Sequence, residues 1–564
     1  MADDGETADL KTRVTTDTLA NSETLIDIAF TPEERAQMLE GVRGRIDDYR
    51  AIRNVHLDNA VHPAFYFDPR LPDTRLAKDH QKPRLRMSAQ PEVSRPSDLE
   101  DVAFYPVTHQ AELLRTKQVT SVELTEMYLE RIKRYNPHLE CVITITADLA
   151  MSQAKRADQE IAQGHYRGPL HGIPWGVKDL IAVRNYPTTW GAEPYRDQHL
   201  DVDATIVQRL EHAGAVLVAK LVSGELAYGD KWFGGQTKNP WNIAEGSGGS
   251  SAGPAASVGG GLVGFAIGTE TTGSIVWPAL RCGAVGLRPT FGLVSRYGVM
   301  SLSWTFDKVG PVARSVEDSA IVLSAIAGPD GYDGNLLGVD FSWSPELDLS
   351  KARVGYIASE FEDSSSANDH DHETVSPLKK MGIDLREHKP NDRRTLNVMR
   401  DLGFDLVPLE LPDADLNSML IIMAAEAAAA FDELTRSDRD DLLVTQEDSA
   451  FANRFREARF IPAAEYIQAN RIRLKIMESM AELMQEVDVF LVPQLGGNNL
   501  TLTNLTGQPT IGVPNGFTEE GMPTGINFVG GVLREDMLLA VAKAYQGATN
   551  FDARRPSMDY STIG

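Results

Sequence analysis

The sequence predicts an α/β fold with a large mixed sheet core covered by helices on both sides and an N-terminal helical extension. Three observations carry that reading. From Val312 onward, short apolar runs alternate with helical patterns. That order builds one sheet with helices laid over its faces. Residues 168–183, GPLHGIPWGVKDLIAV, pass from turn residues into a run rich in Val and Ile, the pattern of a buried strand. Residues 203–213 then read as a helix, Gly214 is placed to end it in the left-handed conformation, and residues 215–220 read as the next strand.

Taken in order, residues 1–30 form a polar, frayed lead-in. Thr31, Pro32 and Glu34 make a capping box with proline at the first helical position. Met38, Leu39, Val42, Ile46, Tyr49, Ile52 and Val55 follow at helical spacing, and the helix ends before His62-Pro63. Its apolar stripe has to bury against the main body or another copy of the chain, so a homodimer arm is one expectation. Residues 63–100 are rich in proline and charge and read as an extended wrapping connector. The division expected is therefore 1–100 for the extension and 101–564 for the catalytic body. Thr120 and Glu123 form a second capping box ahead of Leu124, Tyr128, Leu129 and Ile132. A helix over about 147–163 carries Ala150, Ala154 and Ala157 along one side. Residues 360–400 are polar and poor in aliphatics, and their first half is expected to be a mobile surface insertion. Residues 413–486 read as helical, VDVFLVP at 487–493 as a buried strand, and a last helix starts near Glu535.

Composition excludes several classes. At 42% hydrophobic and 24% charged, the 564-residue chain is an ordinary globular protein. Its 80 acidic against 55 basic residues leave a net charge of −25, which repels phosphate backbones and argues against a nucleic-acid partner. The most apolar helix-like run, residues 418–431, is short and interrupted by Glu426, so no membrane span is expected. Two cysteines, Cys141 and Cys282, with no apolar leader, point to free thiols and a cytoplasmic location. Asn368–Glu373 has metal-ligand residue types, but in a loose acidic run; a solvated loop is expected there, and no metal or cofactor is called for.

The chemistry concentrates between Gly246 and Pro289, where glycines and serines surround short apolar runs. Such a segment gains little from side-chain burial and gives up much backbone entropy, so something other than packing must justify it. Gly248-Gly249-Ser250-Ser251-Ala252-Gly253 lacks the Lys-Ser/Thr that follows in a phosphate-binding P-loop. Gly259, Gly261 and Gly264 match a dinucleotide spacing without the strand–turn–helix context or the later acidic residue, and read as close packing. Ser274 follows Thr271, Thr272 and Gly273. A small-residue turn ending in serine presents N–H groups beside a hydroxyl, which suits an oxyanion hole, although a serine-capped turn is the commoner fate. Upstream, Lys178 lies inside an apolar strand among Trp175, Val177, Leu180 and Ile181. A lysine paired to Asp179 at the strand end is the ordinary alternative. Burial would push its amine toward neutrality and make it a usable base.

Lys178 in GIPWGVKD, Ser250 in GGSSAG and Ser274 in TTGSIVWPA, followed by CGAVGLRPTFGLVSRYG, resemble the amidase signature family. Ser250 and Ser274 stand 24 residues apart, as in that family. KNPWN at 238–242, FDKVGP at 306–311, NLTGQPTIGVPNGF and GMPTGINFVG extend the likeness over about residues 105–550. The resemblance implies the amidase signature fold and a Ser–Ser–Lys triad. Ser274 would be the nucleophile, Ser250 the proton relay across a cis Gly249–Ser250 peptide, and Lys178 the base. Thr271, Thr272 and Gly273, with Ser251, are the implied oxyanion and substrate-binding group.

Four positions depart from the common pattern: Thr272, Val276, Glu270 and Ala252. None removes a triad member. The first two would alter the acyl side of the site, toward apolar or bulky groups. Cys282 reads as a buried core thiol, Asp179 as an orienter of its loop, and Arg281, Trp304 and Asp307 as structural or pocket-lining. The expected activity is hydrolysis of a small amide, ester or carbamate through an acyl-enzyme. The alternatives are a glutamyl-tRNA amidotransferase A-like subunit using glutamine as ammonia donor, and a non-catalytic ligand-binding protein of the same fold.

Overall fold

Eleven strands join into one mixed sheet. They are β1 (Val142–Ile145), β2 (Pro174–Lys178), β3 (Val216–Leu221), β4 (Phe265–Glu270), β5 (Val285–Arg288), β6 (Lys308–Ala313), β7 (Val354–Ile357), β8 (Leu406–Leu409), β9 (Val489–Pro493), β10 (Thr510–Phe517) and β11 (Pro523–Gly530). Their spatial order is β1-β3-β2-β4-β6-β5-β10-β11-β9-β7-β8. The computed structural model describes residues 13–61, 65–71, 74, 85–362 and 387–560. Central strands such as β2, β3 and β4 are buried at every residue, as continuous apolar runs covered by helices on both faces require. β2 runs parallel to β3 and β4, so the ends of β2 and β4, Lys178 and Glu270, emerge on the same edge. Turns at the carboxyl ends of parallel strands are where such sheets place their ligands.

The strand expected near 168–183 forms at Pro174–Lys178, and that near 215–220 at Val216–Leu221. Between them a helix spans Thr205–His212, and Gly214 takes φ +83°. The Thr120–Glu123 capping box forms on both sides and starts the helix Ser121–Leu139. The region 413–486 is helical in pieces: Leu416–Ala430, Asp432–Arg436, Phe451–Glu457 and Ala463–Glu486, with residues 437–450 mostly irregular. Of the predicted insertion at 360–400, residues 363–386, including Asn368–Glu373, lie outside the described residues; a helix, Lys389–Asp401, fills its end.

The lead-in at 1–30 needs correction. Residues 1–12 lie outside the described residues, but Thr16–Ile26 is a helix, α1, whose Thr15 and Thr18 cap each other. The sequence shows little apolar periodicity there; what holds α1 is its neighbour. Arg35 of the next helix, α2 (Pro32–Arg53), donates two 2.7 Å hydrogen bonds to Glu23. The predicted Thr31–Glu34 box starts α2, at 2.7 and 3.2 Å. Its stripe is less buried than expected: Met38, Leu39, Val42 and Ile46 are half-buried, packed mainly on α1, and the helix stops at Arg53.

Where it is described, the connector touches the body at several points. Arg70 donates to the Leu337 carbonyl, Leu85 bridges Trp343, and the Ser88 N–H reaches Glu317 at 2.7 Å. Phe67 lies 3.5 Å from the guanidinium of the buried Arg473. Both cysteines are free and buried, and burial pushes the Cys141 thiol up to about 12. Among the described residues no helix is long and apolar enough to cross a membrane, and no group of three or more His, Cys, Asp or Glu could hold a metal ion.

Candidate active site

Lys178 closes β2 and is buried. Its Nζ lies 2.8 Å from Ser250 Oγ and 2.9 Å from Thr269 Oγ1. Burial holds its amine well below the ordinary lysine pKa, against the raising fields of Asp307 and Glu270. Asp179, the alternative partner, instead pairs with Lys220 at 2.7 Å and accepts the Thr189 N–H at 2.8 Å. The lysine is thereby freed to face the serine.

Ser250 is buried, and the Gly249–Ser250 peptide is cis. Its carbonyl accepts the Gly224 N–H at 3.1 Å. A Cβ at Gly249 would lie 1.8 Å from the Gly229 carbonyl oxygen, so only glycine lets this backbone pass the 224–230 segment. That segment, with Leu226 and Ala227 at positive φ, packs against the Ser250 loop, and its buried Asp230 accepts the Gly248 N–H at 3.0 Å; the acids Glu225 and Asp230 were the sequence signal for it.

Ser251 is bonded within the protein. Its Oγ donates to the Thr269 carbonyl at 3.0 Å and accepts the Thr269 N–H at 3.2 Å, and its own N–H donates to the Ser274 carbonyl at 3.1 Å. These bonds fasten the two serine loops together through Ser251. The last of these bonds brings the Ser274 backbone against the 250–251 peptide. Ser274 itself is half-buried.

Two buried carboxylates clamp the turn that carries Ser274. Asp307 Oδ1 accepts the Thr271 hydroxyl at 2.7 Å. Glu270 Oε2 accepts the Ile275 and Val276 N–H groups at 2.8 and 3.0 Å. Its other oxygen takes Arg288 and Asn504, both at 2.8 Å. Burial pushes Glu270 up, but Arg288 and these donors hold it below the usual carboxylate range; burial dominates at Asp307 and raises it. Gly273 takes φ +118°, with Leu500 against its open side. Among the described residues no acceptor takes the backbone N–H of Thr272, Gly273 or Ser274. Those donors suit a developing negative charge. The Thr271 N–H likewise has no acceptor among the described residues, while its hydroxyl is held by Asp307. The role of Glu270 had a usable signal: an acid inside the apolar run FAIGTE costs as much to bury unpaired as Lys178 does.

Arg281 is structural, bonded to Gly246 and Glu245. Val276 is buried beside Leu280 and Leu500. Lys308 is the surprise. It sits on β6 directly across from Glu270, is buried, and has no hydrogen-bond partner for its amine among the described residues. Burial first, and Arg288 second, push its pKa well below the ordinary value of 10.5. A depressed lysine pKa means that the unfolded chain binds the extra proton. Stability therefore rises with pH from the folded-state pKa up to the unfolded value near 10.5, by about 1.4 kcal/mol per pH unit for each such group. Lys178 adds in the same direction. We expect the thermal midpoint to increase between pH 7 and 9. Lys308→Met should raise it at pH 7 and flatten the slope; equal slopes in the two proteins would contradict this account.

The sheet carries a lysine amine on one strand end and two serine-bearing loops beside it, a nucleophile-and-base arrangement within a mixed α/β fold. The chain belongs to the amidase signature family: a family profile described as Amidase matches residues 123–502. Relatives include the A-type component of the glutamyl-tRNA(Gln) amidotransferase of Cyanothece sp., 32% identical over 79% of this chain and 98% of that protein. A protein of Mycobacterium tuberculosis designated amidase AmiD is 31% identical, over 81% and 97% of the two chains. Among solved structures, the native peptide amidase of Stenotrophomonas maltophilia superposes with a TM-score of 0.68 at 29% identity, covering 82% of this chain and all of that one.

Proposed function

We propose that the protein is a self-contained hydrolase that cleaves a small amide through an acyl-enzyme on Ser274, with esters and carbamates as further substrates. The observation that carries this reading is the 2.8 Å contact between Lys178 Nζ and Ser250 Oγ, with the amine depressed by burial. A neutral amine at that distance can accept the Ser250 proton while Ser250 takes the proton of Ser274. Ser274 Oγ then bonds to the carbonyl carbon, and the oxyanion meets the free N–H groups of Thr272, Gly273 and Ser274. The C–N bond breaks as the nitrogen takes a proton back through Ser250, and ammonia or an amine leaves. Water, deprotonated along the same path, attacks the ester and releases the acid and Ser274. Apolar neighbours of the turn, Leu500, Leu495 and Trp277, favour an apolar acyl group. By this reading the protein needs no nucleic acid and no membrane, and α2 remains available as a dimer arm.

A second reading, an amidotransferase A-like subunit fed by glutamine, is favoured by the Cyanothece relative and by further relatives of the same designation. The chain purified by itself and offered glutamine, aryl amides, aryl esters and aryl carbamates separates the two. Turnover of the aryl substrates without partners is the expected result; activity on glutamine only, or only with added partner proteins, would establish the transferase. A non-catalytic binding protein would turn over none of them, and an activated phosphonate would leave Ser274 unlabelled.

A further inference from the structure

The segment that follows α2 is held to the body in an unusual way. Residues 54–61 are exposed except Asn59, which is half-buried. Val55 and Leu57 are 60% and 62% exposed, so apolar packing does not hold this segment down. Asn59 does so with its side-chain amide. Nδ2 donates to the Ser301 carbonyl at 2.8 Å, and Oδ1 accepts the Ser301 N–H at 2.7 Å. One amide thus satisfies both backbone groups of one residue.

Ser301 opens an irregular strap that leads directly to the candidate site. Just before it, the Met300 N–H donates to the Leu180 carbonyl at 2.9 Å, two residues past Lys178. Just after it, the Leu302 and Ser303 N–H groups donate to Asp307 Oδ2 at 2.7 and 2.9 Å. The other oxygen of Asp307 holds the Thr271 hydroxyl, at the start of the Ser274 turn. Ser303 and Thr305 are anchored from the far side by Glu426. The strap is therefore fixed at Leu180, Asp307 and Glu426, with Arg296 on the Trp304 carbonyl and Arg473 on Thr305, and Asn59 adds a contact at Ser301 from outside the catalytic body.

We propose that Asn59 is a positioning residue for the Thr271–Ser274 turn, and that the N-terminal extension acts in cis to hold that turn in its working geometry. The route is Asn59 to Ser301, through Asp307, to Thr271. The proposal rests on the reading of Ser274 as nucleophile. It does not place Asn59 in contact with substrate.

The test uses full-length Asn59→Ala and Asn59→Asp beside wild type and Ser274→Ala. The readouts are kcat and KM on a soluble aryl amide, the rate of Ser274 labelling by an activated phosphonate, and the thermal midpoint. We expect Asn59→Ala to lower kcat about 2- to 30-fold, the range typical of indirect coupling, with KM changed less than about twofold. Phosphonate labelling should slow in parallel. Asn59→Asp keeps the acceptor for the Ser301 N–H and loses the donor, so it should fall between the two. If Asn59→Ala does not fold, the Asp variant is read by the same split. Wild-type kcat and labelling in the Asn59 variants, or a change confined to KM or to the thermal midpoint, overturn the proposal. Retained turnover in Ser274→Ala overturns the nucleophile reading instead, so the two failures are distinguishable.

Discussion

Ser274→Ala is expected to abolish turnover of every acyl substrate the wild type accepts. The loss in kcat should be about 10⁴- to 10⁶-fold, as when a nucleophile that works as part of a unit is removed. The substitution deletes one half-exposed hydroxyl and leaves Glu270 and Asp307 holding the turn, so the fold should survive. Initial rates together with mass spectrometry after phosphonate treatment check both points. The wild type should gain one adduct on Ser274 and the variant none. Turnover within tenfold of wild type would remove Ser274 from the mechanism.

Lys178→Ala should come close to that loss, about 10³- to 10⁵-fold in kcat/KM. Ser250 would then have no base within reach and could not draw the proton from Ser274. Lys178→Arg should be no better, because a guanidinium stays charged and cannot accept a proton. The pH profile tests the same residue without a mutation. Catalysis needs the neutral amine, so kcat/KM should rise with pH through the folded-state pKa of Lys178 and level off above it. Burial places that pKa well below 10.5, and the plateau should accordingly be reached well before pH 10. A rate still climbing at pH 10 would falsify the assignment of a depressed lysine base.

These expectations were largely legible in the sequence because the residues behind them are local anomalies. A lysine in an apolar strand and serines among glycines cannot be explained by packing. Lys178, Ser250 and Ser274 were reached that way, and the structure brings Lys178 onto Ser250 and the Ser274 backbone onto the Ser250 loop. Other positions take their roles from partners elsewhere in the chain. Ser251 reads like Ser250 by composition, but its hydroxyl is captured by Thr269, 18 residues on. Helix α1 has weak periodicity and stands because Glu23 meets Arg35. Asn59 is one polar residue among many in its segment until Ser301, 242 positions away, is folded against it.

What the sequence determined by itself was the α/β class, the order of the central elements and which residues stand out as local anomalies, the ones proposed to act. Apolar periodicity, capping boxes and buried charge are properties of short windows, and burial energies act on them wherever the window ends up. What only the tertiary structure decided was how those residues are held. Glu270 and Asp307 clamp opposite ends of one turn, Lys308 is buried with no hydrogen-bond partner for its amine among the described residues, and an N-terminal arm reaches the strap beside them. Hydrogen bonds need about 3 Å and correct alignment, and no pattern within one segment fixes a distance between two segments that meet only when the sheet closes.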